Sequence, residues 1–109
     1  MQTAMPNFFI SERAKKDIAD IWNYTASEWS EKQAVRYYNE LLDTCERIAS
    51  NPYVIGRSYD DVRPDLRGIT CGRHIIFFRI ISQRKVRIVR ILHTRMDFSR
   101  HIRKDTPVD

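Results

Sequence analysis

Apolar residues recur along this chain with two different periods, and the change of period divides it. Phe8-Phe9-Ile10 is a short apolar run that reads as a first strand. Ser11 follows as an N-cap. Ala14, Ile18, Ile21, Trp22, Thr25 and Trp29 then recur every three or four residues, which predicts an amphipathic helix from about residue 12 to about residue 28. Ser30-Glu31-Lys32-Gln33 has the form of a capping box, so a second helix begins there. Its apolar stripe is Ala34, Val35, Tyr38, Leu41, Leu42, Cys45, Ile48 and Ala49. Asn51-Pro52 stops it, because proline disfavours helical geometry in the preceding residue. With so short a turn between them, the two helices form an antiparallel hairpin, and both tryptophans are expected to glue that hairpin to a sheet.

Residues 53–64 read as a loop, with Gly56, Asp60, Asp61 and Pro64 as turn-formers. Beyond them the pattern turns to β. Leu66 to Cys71, His74 to Ile81 and Val86 to Leu92 are three candidate strands separated by short polar breaks, which makes an antiparallel meander. Asp97 to Lys104 can form a helical turn or two, and residues 103–109 are expected to fray. The predicted fold is α+β: an N-terminal strand, a helical hairpin, then a three-stranded meander with the hairpin packed on one face. All 109 residues fit one domain, with its core within about residues 8–102.

Composition adds a partner class. Residues 1–56 carry 6 Lys+Arg against 8 Asp+Glu, whereas residues 57–109 carry 13 against 6, and eleven of those 13 are arginine. Arginine is the better bidentate partner for carboxylates and phosphates. The second half therefore suits an acidic protein segment or a nucleic acid, with a merely solvated basic face as the plainer alternative. No segment approaches the roughly 18 apolar residues of a membrane span. The first ten residues do not resemble a signal peptide. Cys45 and Cys71 are expected as reduced, buried thiols in a cytoplasmic protein.

There is no glycine-rich phosphate loop, no nucleophile elbow and no paired-cysteine signature, so neither a cofactor nor a metal is expected. Three histidines remain, His74, His93 and His101, each more simply a strand-end or surface residue than a catalyst. A metal-independent ribonuclease would need a base, an acid and cations around the phosphate. His93 with Arg67, Arg73, Arg79 and Arg90 could supply them if they shared a face. Strict alternation puts Arg87 and His93 on one side of the last strand and Arg90 on the other, unless a bulge intervenes.

The ordered set of segments resembles the RelE/ParE toxin superfamily. It runs from Phe8-Phe9-Ile10-Ser11 and Ala14-Lys15-Lys16-Asp17-Ile18 through Gln33-Ala34, Tyr38 and Asn51-Pro52. It continues with Gly56-Arg57-Ser58-Tyr59-Asp60-Asp61 and Arg73-His74-Ile75-Ile76-Phe77-Phe78-Arg79. Ile88-Val89-Arg90-Ile91-Leu92-His93-Thr94-Arg95-Met96-Asp97 is the most specific piece and points to the ParE branch. That resemblance implies a toxin of a type II toxin–antitoxin module, a binding protein and not an enzyme. Its implied target is DNA gyrase, and its implied neutraliser is a ParD-like antitoxin in a hetero-oligomer. Operator DNA would be met only through the antitoxin, and a membrane not at all. The implied antitoxin surface is Ile18, Ile21, Trp22, Tyr38, Leu41 and Leu42 of the hairpin. The implied target surface is Arg95, Met96, Arg100 and Arg103. The alternative is a RelE-like ribosome-dependent mRNA endonuclease, with His93, Arg90, Arg79 and Arg73 as its catalytic set. No tyrosine follows Tyr59, which departs from the nuclease pattern. A toxin-like fold that retains only antitoxin binding is the third possibility.

Overall fold

In the computed structural model, residues 7–82 and 85–103 are described. The elements are β1 (Asn7–Ile10), α1 (Glu12–Glu28), α2 (Glu31–Ser50), β2 (Arg57–Ser58), β3 (Arg67–Cys71), β4 (His74–Ser82), β5 (Lys85–His93) and α3 (Phe98–Arg103). The fold is the expected α+β arrangement of a strand, a helical hairpin and a meander. Both helix starts are capped as their sequences require: Ser11 accepts from the Ala14 amide and Ser30 from the Gln33 amide.

The sheet has five strands in the order β1-β5-β4-β3-β2. The meander β3-β4-β5 is antiparallel, and β1 joins its far edge parallel to β5. The two-residue β2 lies in what the sequence predicts to be loop. Its pairing with β3 over Arg57↔Gly68 and Ser58↔Arg67 is set by tertiary contact and not by a β-rich run. The fraying tail expected after residue 103 lies outside the described residues.

Two apolar clusters sandwich the sheet. Ile76, Phe78, Val86, Ile88 and Ile91 meet Ala14, Leu41, Cys45 and Ile48 of the hairpin on one face. On the other, Ile75, Phe77, Val89 and Leu92 are covered by Tyr59, Val62, Leu66 and Ile102 from the 59–66 loop and α3.

The ladder between β4 and β5 contains a bulge: Phe77 pairs with Arg90 and Phe78 with Ile88, which leaves Val89 as the extra residue. That one residue reverses the expected parity. Arg87 lies on the face away from the helices, beside Phe9, whereas His93 lies on the helix side. Strict alternation had them together.

Beyond Ile88 the outer edge of β5 has no strand beside it among the described residues. Side chains of the first helix close it instead. Ser11 donates its amide to Ile88 O (3.0 Å) and its hydroxyl to Val89 O (2.8 Å). Asp17 accepts from the Ile91 amide (2.9 Å) and, through both oxygens, from the Arg90 guanidinium (2.8 and 2.9 Å).

Tryptophan placement differs from expectation. Trp22 meets Tyr38 edge-on at 6.1 Å between centroids, joining the two helices on their outer side. Trp29 is 63% exposed at the end of α1, so neither ring ties the hairpin to the sheet.

Candidate functional site

The second helix and the β3–β4 turn build a polar cluster around Tyr37. Gly72 forms that turn at φ +59°, and a Cβ there would lie 2.6 Å from the Tyr37 ring, so glycine serves both the backbone and the contact. The Tyr37 hydroxyl donates to Cys71 O (3.0 Å), accepts from the Arg73 amide (3.2 Å) and lies 2.6 Å from His74 Nδ1. A phenol has one proton. Satisfying all three contacts therefore requires His74 to donate from Nδ1, which leaves its Nε2 as a lone pair.

His93 stands opposite His74 in the β4–β5 register, with ring centroids 5.4 Å apart at 77°. Its Nδ1 accepts from the Arg95 amide at 3.1 Å, so neutral His93 carries its proton on Nε2. The Thr94 amide donates to Arg73 O and the Met96 amide to His93 O, tying the last turn to the β3–β4 turn. Burial, and secondarily the neighbouring His93, hold the His74 pKa down at about 4. Burial also raises the Tyr37 phenol. At neutral pH Tyr37 and His74 are both uncharged.

An open cleft of about 600 Å³ lies over this cluster. Asp20, Ile21, Tyr24 and Thr25 of α1 form one wall; Trp29, Gln33 and Tyr37 form the second; Gly72, Arg73, His74 and His93 form the floor. Tyr24 and Trp29, both 63% exposed, present aromatic faces that a partner side chain can cover. A histidine with a pKa near 4 is a weak general base at neutral pH. Among the described residues, no three His, Cys, Asp or Glu side chains gather as metal ligands.

The implied nuclease set does not assemble. Arg73 and His93 share the cleft. Arg90 is 8% exposed and engaged by Asp17, so its charge is spent within the fold. Arg79 pairs with Arg87 in the register, and alternation from Phe77 puts it on the face away from the cleft. Arg67 donates to the carbonyls of Ile55 and Gly56.

The implied antitoxin residues divide. Leu41 is 1% exposed and belongs to the core, which removes it from any docking surface. Ile18 and Ile21 are partly buried against that core. Trp22 and Leu42 are half-buried, and Tyr38 is exposed. The stripe of α2 is the predicted one at Ala34, Leu41, Cys45, Ile48 and Ala49 and differs in its first half: Tyr37 turns inward, while Val35 and Tyr38 turn outward. The spacing 34, 37, 41, 45, 48 carries that signal, obscured by two adjacent tyrosines. Asp17 was equally readable as a carboxylate on the inner face between Ala14 and Ile21. Of the implied target residues, Arg95, Met96 and Arg100 are exposed around the turn that follows β5. Arg103 ends α3, and its side chain lies outside the described residues, as does Lys104.

The architecture is shared with a chain of the chromosomal ParDE toxin–antitoxin system from P. aeruginosa. The TM-score is 0.68 at 18% identity, over 82% of this chain and 96% of that one. The family model described as ParE toxin of the type II toxin–antitoxin system parDE matches residues 8–98, and the chain belongs to that family. It is 36% identical over 95 residues to Toxin ParE1 of Mycobacterium tuberculosis, covering 87% of this chain and 96% of that protein. Against Toxin ParE1 of Caulobacter vibrioides it is 36% identical over 98 residues, covering 90% and 99%. Against Toxin ParE of Escherichia coli it is 30% identical over 95 residues, covering 85% and 89%.

Proposed function

We propose that this toxin acts in the cytoplasm by binding, with DNA gyrase as its target and a ParD-like antitoxin as its neutraliser. One observation carries the choice of binding over cutting: Arg90 is consumed by Asp17 and Arg79 lies across the sheet from His93. A phosphate held beside His93 would have only Arg73 of the four implied residues near it. The antitoxin surface in this reading is the outer flank of the hairpin: Ile18, Ile21, Trp22, Tyr38 and Leu42, continued by Tyr24 and Trp29 toward the cleft. Arg95, Met96 and Arg100, on the turn beyond β5 and the short helix after it, form the target-facing surface, with Arg103 continuing it in sequence. Operator DNA is reached through the antitoxin.

The test is expression from a tightly repressed promoter. Induction of the DNA-damage response with intact transcripts is expected. Rapid codon-associated mRNA cleavage without DNA damage would replace this reading with the endonuclease one. His93→Ala separates them further. It leaves a gyrase poison toxic, whereas a nuclease relying on that imidazole loses about a hundredfold or more in rate.

A further inference from the structure

The sheet face opposite the hairpin carries a row of cations that no carboxylate among the described residues pairs with. Arg79 and Arg87 are directly paired across β4 and β5. Like charges placed opposite one another destabilise a sheet, and both side chains are half-buried, where salt screens them poorly. The Nε atoms of both are buried without a hydrogen-bond partner. No carboxylate among the described residues forms an ion pair with Arg79, Arg87 or the nearby Arg57. The row extends sideways: the Arg87 guanidinium lies 4.5 Å from the Phe9 ring centroid, Lys85 Nζ lies 5.0 Å from the same ring, and Arg57 lies 4.5 Å from the Tyr59 ring.

We infer that this row is a docking surface for an acidic, extended segment of a partner protein, whose carboxylates pair with the guanidinium groups of Arg79 and Arg87. Guanidinium groups match carboxylates bidentately. A single-stranded nucleic acid would seek ring faces on which to stack its bases. Those of Phe9 and Tyr59 are already covered by Arg87, Lys85 and Arg57. Carboxylates need no ring face, and the row offers them charge alone. The inference rests on the antitoxin reading for its partner, and the basic charge of the row fixes the acidic chemistry of the segment it takes.

The experiment measures fluorescence anisotropy of the full chain with a short alternating Glu-Ala peptide, its Gln-Ala counterpart, and an oligothymidylate of matched charge. The Glu-Ala peptide is expected to bind more tightly than either. Arg79→Gln and Arg87→Gln should each weaken it about tenfold, the value of one charge-assisted contact. Arg47→Gln, exposed on α2, removes the same charge elsewhere and should change binding less than twofold. Equal losses in all three variants, or tighter binding of the oligonucleotide, would overturn the inference. Thermal unfolding guards against a structural role: neutralising either arginine should leave Tm unchanged or raise it, and a fall of several degrees would overturn the inference as well. Co-purification with the antitoxin encoded beside the toxin separates the two readings. Capture by wild type and by Arg79→Gln/Arg87→Gln with equal affinity sinks this inference alone. Failure of wild type to capture it sinks the antitoxin reading.

Discussion

Arg87 and Arg90 stand three residues apart on the same strand and have opposite fates. Arg90 donates to both oxygens of Asp17, and each side chain of that pair is close to nine-tenths buried. Arg87 faces another arginine and an aromatic ring. The bulge at Val89 lies between them and turns Arg87 and His93 to opposite faces. Arg90 meets Asp17 of α1 at the open edge of β5, where the same carboxylate also accepts from the Ile91 amide. Arginine count alone therefore says little about this chain. One arginine is part of the architecture, and the pair nearby meets no carboxylate among the described residues.

The largest test of that contrast is Asp17→Ala. It leaves Arg90 buried with its charge unmatched and strips the Ile91 amide of its acceptor. Breaking a buried pair from one side costs about 3–5 kcal/mol. Urea unfolding should show a loss of that order, while Asp17→Leu combined with Arg90→Met should recover much of it. Removing a cation from the other region, by Arg87→Gln, should shift the same curve by less than about 0.5 kcal/mol, as surface charges do. Equal costs in both places would erase the distinction between the two regions.

Most of the architecture was legible because it is written in local chemistry. Ser11 and Ser30 announce helix starts, Asn51-Pro52 announces an end, and the Ile75–Ile81 run has no reading but strand. What escaped is what depends on a neighbour distant in sequence. β2 exists because β3 is beside it. The bulge leaves no mark in Ile88-Val89-Arg90-Ile91, because a valine fits either count. Trp29 looked like core because its spacing continues the stripe of α1, yet the helix ends there and the ring projects outward. Of the cleft, His74, His93 and Arg73 were visible as candidates. Tyr37, which organises them, was hidden by its neighbour Tyr38.

The cleft supplies a second region to set against the arginine row, since its polar groups are mutually satisfied. Gly72→Ala should damage it selectively. The new methyl would sit 2.6 Å from the Tyr37 ring at a positive φ. Strain of this kind costs about 1–3 kcal/mol. Denaturant unfolding measures that cost, and the His74 ring resonances should shift as Tyr37 moves. Peptide binding at the arginine row should be unaffected, because the two sites lie on opposite faces. A parallel loss of peptide binding would mean that the sheet transmits the disturbance, and the two regions could no longer be treated as independent.

The smallest effect is the pH dependence of the cleft. Burial and His93 depress the His74 pKa from 6.5 to about 4. The unfolded chain therefore binds a proton in this window that the folded chain refuses, and stability rises with pH across it. The contribution is complete above about pH 6.5 and lost progressively as pH falls toward 4. Protonating Nε2 would place a cation beside His93, so the penalty is electrostatic as well as a matter of lost solvation, with Asp17 opposing it in part. Urea midpoints measured between those limits should fall with acid, and His74→Gln should flatten the slope in that interval. Tyr37→Phe should not flatten it, since burial and His93 stay in place and losing the acceptor at Nδ1 does nothing to favour the charged ring. An unchanged slope in His74→Gln would assign the acid sensitivity to other groups and leave the histidine pair as a merely steric floor for the cleft.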